Sequence, residues 1–545
     1  MSTFVAFSFK KPVHVSRTVE KAVQICRDYL PSIYSSEPEI WIGKKSALVV
    51  WPTRGEQAAM SRRNGLVLGI TGYTTVLSPQ GILDRVRTSS SGLFLDQSPG
   101  GVAAFCLIDQ SERLFAWSTQ PPVHGLYTAQ TRAEYTVVAP RPLLAYLAST
   151  RSAAIRLRRD YAFEMLASGY AIGSTPYADT RRNPVMKGLL VQDGDPTPID
   201  HPHPRHPVVE GSLNDVARQY REKLETAVSV AGNRDVTLRL SGGKDSRTIL
   251  AIAHGTGMNI SAVTMGAPDS GEAQTAARVA EACGFRHEIR PQQVIADPIR
   301  AACLSHMATE GLITAVPHQF AHTLDPPRDG GLVMTGQGHL QRGGYAPGLQ
   351  SASWDATRAI RYLKTKVRSG LVTEDLNAPN LAAVDAWAAE RGRGTHLSAA
   401  DVLHWGSADF RLGYWYASTF MAMEGITRPL MPLLDDAVFA FVAATGAKER
   451  MSEKMNFAMI SNAAPRLGKL GLYNDRWRFE LDGADAEIPG YGDRTPLPKS
   501  KSNAEGLVFD ENPHRFRPTT RTFCAATLDS ATWHDIKIQP VARIA

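Results

Sequence analysis

The stretch Asp235-Val-Thr-Leu-Arg-Leu240-Ser-Gly-Gly-Lys-Asp245-Ser-Arg-Thr-Ile-Leu250-Ala-Ile-Ala-His254 decides how the rest of the chain is read. Val236 to Leu240 alternates in the manner of a short strand, Ser241 to Gly243 interrupts it, and a helical run begins at about Asp245. The expected unit is therefore strand, tight turn, helix. Gly242 and Gly243 lack Cβ atoms, so phosphate groups can come close to the backbone N–H groups of the turn. Ser241 and Ser246 add hydroxyls, and the helix N-terminus adds a partial positive charge. Asp245 conflicts with an anion unless a cation lies between them, and magnesium is the expected cation. The plain alternative is a Ser-Gly-Gly turn capped by Asp245 at an ordinary helix start. The glycine spacing is not that of the G-x-x-x-x-G-K-[ST] phosphate loop.

Taken whole, S-G-G-K-D-S resembles the S-G-G-x-D-S pyrophosphate loop of the ATP pyrophosphatases, which split ATP into AMP and pyrophosphate while activating a carboxylate. The resemblance implies ATP and Mg2+ as cofactors. It implies Leu240, Ser241, Gly242, Gly243, Asp245, Ser246, Thr264 and Met265 as nucleotide contacts, with Asp245 as the metal ligand and Lys244 among the groups stabilising transferred charge.

The 545 residues suffice for two or more domains, and 43% hydrophobic with 21% charged residues describes a globular chain. No window offers the ~20 apolar residues of a membrane-spanning helix. The N-terminal run from Met1 to Lys11 reads as a first strand rather than a secretion signal, because its charges follow the apolar run. The five scattered cysteines read as reduced core residues of a cytoplasmic protein. A net charge of +7 is dispersed, and no nucleic-acid-binding signature is present.

Residues 1–208 read as a mostly β domain with helices near Val19–Tyr29 and Arg141–Ala148. Gly100 to Asp109, His124-Gly-Leu-Tyr127 and Tyr135 to Ala139 resemble the glutaminase domain of asparagine synthetases, an Ntn-type sandwich. That family begins with a nucleophilic cysteine. Here Ser2-Thr3 follows Met1, and the nearest cysteine is Cys26, so the resemblance implies a degenerate glutaminase scaffold; a Ser2 or Thr3 nucleophile is the alternative. Asp193 to Gly211, rich in proline and histidine, reads as an extended interdomain linker, with a metal tract of His201, His203 and His206 as the lesser reading.

From residue 209 to 545 the alternation of strands and helices predicts a doubly wound parallel sheet, giving an α/β fold class overall with helical additions. Thr335-Gly336-Gln337-Gly338 to Tyr345 is similar to the family's S-G-x-G-x-D-E-x-x-x-G-Y loop, which implies nucleotide contacts at Gly336, Gln337 and Gly338. The Asp-Glu pair is missing and the loop is one residue short, so the second metal carboxylate lies elsewhere, with Glu272 a candidate; His339 suits magnesium poorly. Arg411 to Glu424 reads as a long helix before Pro432-Leu-Leu-Asp435, and the resemblance makes Glu424 a catalytic base. The alternative is a helix-end glutamate paired with Arg428. Ser452 to Phe457 resembles a family helix start, and Lys501, then Lys499, are candidates for the cation beside the amide-forming oxyanion. Residues 510–545 carry no readable pattern.

The resemblance implies amide formation through an acyl-adenylate. Lacking a glutaminase nucleophile, the chain is most similar to lasso peptide cyclases, next to β-lactam synthetases, where Gln337 departs from the tyrosine of the latter. Lasso cyclase kinship, with its place in antibiotic biosynthesis, implies a ribosomal precursor peptide as substrate, a leader-binding protein and a leader peptidase as partners, and neither nucleic acid nor membrane. A small-acid amide ligase and a non-catalytic ATP-binding scaffold are the other readings.

Overall fold

A computed structural model describes residues 1–56, 60–130, 134–158, 161, 165, 170, 172–202, 209–290, 307–313, 331–368, 373–393, 396–473 and 475–481. Lys499, Lys501, His203, His206, Cys303 and Cys524 lie outside the described residues.

The first strand, β1 (Ser2–Phe9), is buried along its whole length, and its alternation explains why. Val5, Phe7 and Phe9 face one layer while Phe4 and Ala6 face the other, the period of two that a sandwiched strand requires. Flanking it are β2 (Glu39–Ile42), β3 (Ser46–Pro52), β10 (Tyr127–Gln130), β11 (Tyr135–Ala139) and β12 (Thr180–Arg182), in the order β12-β10-β11-β1-β3-β2. A second antiparallel sheet has the order β14-β13-β9-β8-β5-β4. It uses β4 (Met60–Arg63), β5 (Leu66–Tyr73), β8 (Val102–Ile108), β9 (Leu114–Ser118), β13 (Lys187–Gln192) and β14 (Asp195–Asp200); β6 (Arg87–Thr88) and β7 (Leu93–Phe94) form a separate pair.

Leu48, Val50, Val138, Ala104, Cys106 and Ile108 close the space between the sheets. Helices α1 (Val15–Arg27) and α3 (Pro142–Thr150) cover the first sheet, and α2 (Pro79–Arg85) covers the second through Ile82 and Leu83. The layering is helix, sheet, sheet, helix. Cys26, Cys106 and Cys283 are buried free thiols.

The segment expected to open a linker is instead an edge strand. Asp193 and Gly194, both at positive φ, turn β13 into β14, pairing Val191 with Pro196 and Leu189 with Pro198. Proline is tolerated there because an edge strand leaves one side unpaired.

Beyond it, helix α4 (Leu213–Ser229) leads into a five-stranded parallel sheet. Its strands are β15 (Val236–Arg239), β16 (Ile260–Met265), β17 (Arg286–Arg290), β18 (Leu332–Thr335) and β19 (Arg428–Leu430), in the order β17-β16-β15-β18-β19. Helices α5 (Lys244–Thr256) and α6 (Gly271–Ala282) follow β15 and β16. The order reverses between β15 and β18, which is where an open parallel sheet leaves a crevice at its strand ends.

The run expected as one helix to Glu424 is broken. Helix Ala399–Gly406 passes into a π-helical stretch, Ser407–Tyr416, before an α-helix resumes at Ala417–Glu424. An i to i+5 register changes the face presented and leaves no mark in apolar spacing.

Candidate functional site at the sheet switch point

The Ser241–Ser246 turn sits at the carboxyl end of β15, the central strand, beside the end of β18. Ser241 Oγ lies 2.9 Å from Ser246 Oγ, Ser241 N–H donates to Ser246 Oγ at 3.0 Å, and Gly243 N–H donates to Ser241 Oγ at 3.3 Å. No side chain caps α5, whose N-cap is Gly243 in an extended conformation. The first N–H groups of that helix are thus available to an anion.

The two glycines serve different ends. A Cβ on Gly242 would stand 2.7 Å from Tyr473 Cβ and 3.0 Å from Thr275 Cβ, so protein, not ligand, requires the glycine. On Gly243 the nearest atom would be 3.4 Å away, which leaves that side open. From the opposite strand, Gly336 presses on the first turn of α5. A Cβ there would meet Ser246 N and Asp245 C at 2.5 Å. One on Gly338 would lie 3.1 Å from Asp245 Oδ1. Leu240 and Thr264 join neighbouring strand ends: Thr264 Oγ1 donates to Leu240 O at 2.9 Å and lies 2.8 Å from His287 Nε2. Met265 ends β16 half-buried and Gln337 is half-buried beside Gly338.

Lys244 points away from the turn. Its Nζ donates to Glu453 Oε2 at 2.7 Å and to Arg476 O at 2.6 Å, lies 3.0 Å from Asp475 Oδ2, and stands 5.4 Å over the Trp477 ring. Arg247, buried in the same helix, donates to Leu470 O and Gly471 O, both at 2.7 Å. Together they hold Leu470, Gly471, Asp475 and Arg476 beside the site, and Tyr473 stands against Gly242.

Asp245 has a cation of its own. Arg342 Nη2 donates to its Oδ2 at 3.1 Å, and Arg342 Nε lies 4.0 Å from Glu453 Oε1. Burial works against the Arg342 charge, but Asp245 and Glu453 outweigh it and hold its pKa above the ordinary value. Glu453, with a fully buried side chain, accepts also from Arg478 N–H at 3.0 Å and sits in the left-handed region at φ 66°. A non-glycine residue held there costs about 1 kcal/mol, a strain characteristic of sites where geometry matters.

Every carboxylate of this cluster is therefore engaged: Asp245 by Arg342, Glu453 by Lys244, Asp475 by Lys244. Among the described residues no group of three or more metal-ligating side chains is assembled. The donor set does not fit a magnesium ion held by the protein's own carboxylates. Glu272 is exposed in the first turn of α6, and His339 Nε2 lies 2.6 Å from Ser407 Oγ.

Glu424 lies elsewhere, at the junction with the antiparallel sheets. Its Oε1 is 3.5 Å from His124 Nε2, and with Thr3, Tyr34, Thr71 and Arg141 it lines a void just large enough for one water. Burial raises the Glu424 carboxyl to about 8, against the pull of Arg141. Arg428 does not pair with it in the expected way; Arg428 bridges to Glu56 at 3.3 Å and to Arg54 O at 2.9 Å. Ser2 and Thr3 are 2% and 0% exposed, which leaves neither hydroxyl open to a substrate. Ser2 Oγ donates to Ile70 O, and the Met1 amine pairs with Glu56.

Sequence reasoning missed Arg342, Glu453, Asp475 and Arg247. Arg342 and Glu453 stand inside quoted motif segments, and the charge reversal at Arg342, close to where an acidic pair was expected, was the available signal.

A parallel sheet carrying a hydroxyl-lined turn and an uncapped helix N-terminus at its switch point defines an α/β unit built to receive an anionic ligand. More particularly, residues 219–457 match the asparagine synthase family. Members of that family are ATP-dependent ligases that form amide bonds. A search of curated proteins finds no match to the chain. No described helix is long and apolar enough to cross a membrane.

Proposed function

We propose that the chain forms an amide bond at the expense of ATP through an acyl-adenylate, and that its reaction is macrolactam closure of a precursor peptide. In the first step an Asp or Glu carboxylate of the peptide attacks the α-phosphorus of ATP, and the bond to the β-phosphate breaks. In the second the peptide's N-terminal amine attacks the acyl carbon, AMP leaves, and the amine proton passes to a base.

The observation that carries the reading is the turn itself: Ser241 and Ser246 hydroxyls and the free N–H groups of α5 converge where pyrophosphate would be expelled. Leu240, Thr264 and Met265, at the ends of β15 and β16, are the proposed nucleoside contacts, with Gln337 beside them in the proposal, and Gly336 and Gly338 approach the first turn of α5. Magnesium enters only as the ion that accompanies the phosphates of ATP. Glu424 is the proposed base, acting in the ionised form that its raised carboxyl reaches at about pH 8, which also requires the amine to reach the junction beside His124; Lys501 is the proposed oxyanion cation.

The substrate class rests on the resemblance to enzymes without a working glutaminase site. Ser2 and Thr3 are buried, which leaves neither hydroxyl open to glutamine, and in this reading the amine comes with the substrate. A leader-binding protein and a leader peptidase belong to the same proposal, as do a cytoplasmic location and an N-terminal domain of degenerate Ntn type over residues 1–208. One observation favours a second reading, a non-catalytic ATP-binding scaffold: each carboxylate of the cluster is already paired.

Pyrophosphate–ATP exchange tests the proposal. Exchange dependent on a peptide with an Asp or Glu in its ring segment supports macrolactam closure. Exchange with a small acid alone points to a β-lactam synthetase-like or asparagine synthetase-like ligase. ATP binding without exchange under any acid supports the scaffold.

A further inference from the structure

Beside the Ser241–Ser246 turn lies a compact ion cluster with three acids, Asp245, Glu453 and Asp475, and three bases, Lys244, Arg342 and Arg478. Its charges balance, so it neither attracts a divalent cation strongly nor repels an anion.

Within it the three bases are not equivalent. Lys244 is 3% exposed and bonded on all sides, to Glu453, Asp475 and Arg476 O. Arg478 spends its guanidinium on the backbone, donating to Arg342 O at 2.7 Å and Ala346 O at 2.9 Å. Arg342, 24% exposed against 19% for Arg478, is the base whose charge is directed at the first turn of α5, through Asp245. Its Nε is buried without a hydrogen-bond partner, lying 4.0 Å from Glu453 Oε1. Two carboxylates thus fix the plane of the guanidinium, one through Nη2 and one near Nε, while part of its fork stays accessible. Planar, rigid and permanently charged, a guanidinium so held is suited to a phosphate group.

Asp245, the immediate neighbour of Ser246, brings Arg342 to the turn whose hydroxyls and N–H groups offer an anion site. We infer that Arg342 is the resident cation of this site. Oriented by Asp245 and Glu453, it contacts the phosphate group seated on Ser241–Ser246 in the place a protein-held magnesium ion would take. The role of Asp245 is then to position Arg342 and not to ligate metal. This inference rests on reading the turn as a phosphate cradle.

Calorimetric titration of the full chain with inorganic pyrophosphate, with magnesium and with EDTA, tests it. Wild type is expected to bind under both conditions. Arg342→Ala should weaken binding by about tenfold to a hundredfold under both, as loss of a charge-assisted contact predicts. Arg342→Lys, which keeps the charge without the fork, should fall between the two. Arg342→Gln is the second variant should the alanine form fail to fold, and it is expected to lose as much. Asp245→Asn should weaken pyrophosphate binding in EDTA as well as in magnesium, since its effect runs through Arg342. Three results overturn the inference: equal binding by wild type and Arg342→Gln, loss of wild-type binding in EDTA, or an Asp245→Asn defect confined to magnesium. If wild type binds pyrophosphate under neither condition while the chain is folded, the phosphate-cradle reading itself falls, and this inference with it.

Discussion

Glu424 Oε1 faces His124 Nε2 across 3.5 Å, a contact that joins the helix ending at residue 424 to the antiparallel sheets without being an ion pair. Burial lowers the imidazole to about 3 and raises the carboxyl to about 8, so both groups are neutral at pH 7. A raised carboxyl means that the folded state holds a proton the unfolded state has released. Stability is therefore full below the unfolded value near 4.5 and declines up to about 8. The slope is about 1.4 kcal/mol per pH unit, and Glu424→Gln should remove it. Denaturant midpoints at pH 5.5 and 8, compared between wild type and variant, check this; parallel pH dependence in the two would contradict it.

Asp435 couples the two halves of the fold. Its Oδ2 accepts from Thr75 Oγ1 and Gly101 N–H, both at 2.6 Å, while Oδ1 caps the next helix through Ala437 N–H at 2.8 Å. Asp436 accepts from Gln120 N–H at 2.7 Å, and Tyr73 OH accepts from Met431 N–H at 2.8 Å. Asp435→Ala strands the buried Gly101 N–H and the half-buried Thr75 hydroxyl and removes a helix cap, at a cost of about 3 kcal/mol. Scanning calorimetry should show one transition in wild type splitting in the variant.

Lys244 tests the difference between a tether and a phosphate contact. Lys244→Met leaves Glu453 buried with its nearest partner gone, a change worth about 3–5 kcal/mol, and Lys244→Met with Glu453→Gln should recover much of the loss. Chemical denaturation of the three variants measures it. A Lys244→Met chain as stable as wild type would refute the tether.

The glycines of the two loops separate folding from binding. Gly336→Ala forces a methyl into backbone atoms 2.5 Å away, so both stability and ATP affinity should fall, the former by about 1–3 kcal/mol. Gly243→Ala meets nothing closer than 3.4 Å in a conformation any residue can adopt. Its stability should stay within about 1 kcal/mol of wild type while ATP affinity drops, because the methyl stands where phosphate approaches. Melting curves paired with nucleotide titration distinguish the two variants.

The strand, turn and helix around Ser241 were legible because all three signals lie within some twenty residues: β-branched alternation, paired glycines and an apolar helical face. The parallel sheet followed from its alternation with helices. The Asp193-Gly194 hairpin was hidden by prolines that suggest an extended linker, although Asp-Gly is itself a tight-turn pair. The π-helical stretch before Glu424 was unreadable because its register shift preserves apolar composition. Least legible was the ion cluster. Asp245, Arg342 and Glu453 meet only through the packing of three separate elements, and no local pattern records that Lys244 turns away from the cradle it interrupts.

The central claim is that the turn from Ser241 to Ser246 receives the phosphates of ATP. A crystal structure of the full chain with a non-hydrolysable ATP analogue tests it most directly. The account predicts terminal phosphate oxygens within hydrogen-bond distance of Gly243 N and Ser246 Oγ, with the Ser241–Ser246 hydroxyl contact broken to receive them. A triphosphate bound away from these atoms, with that hydroxyl contact intact, would contradict it.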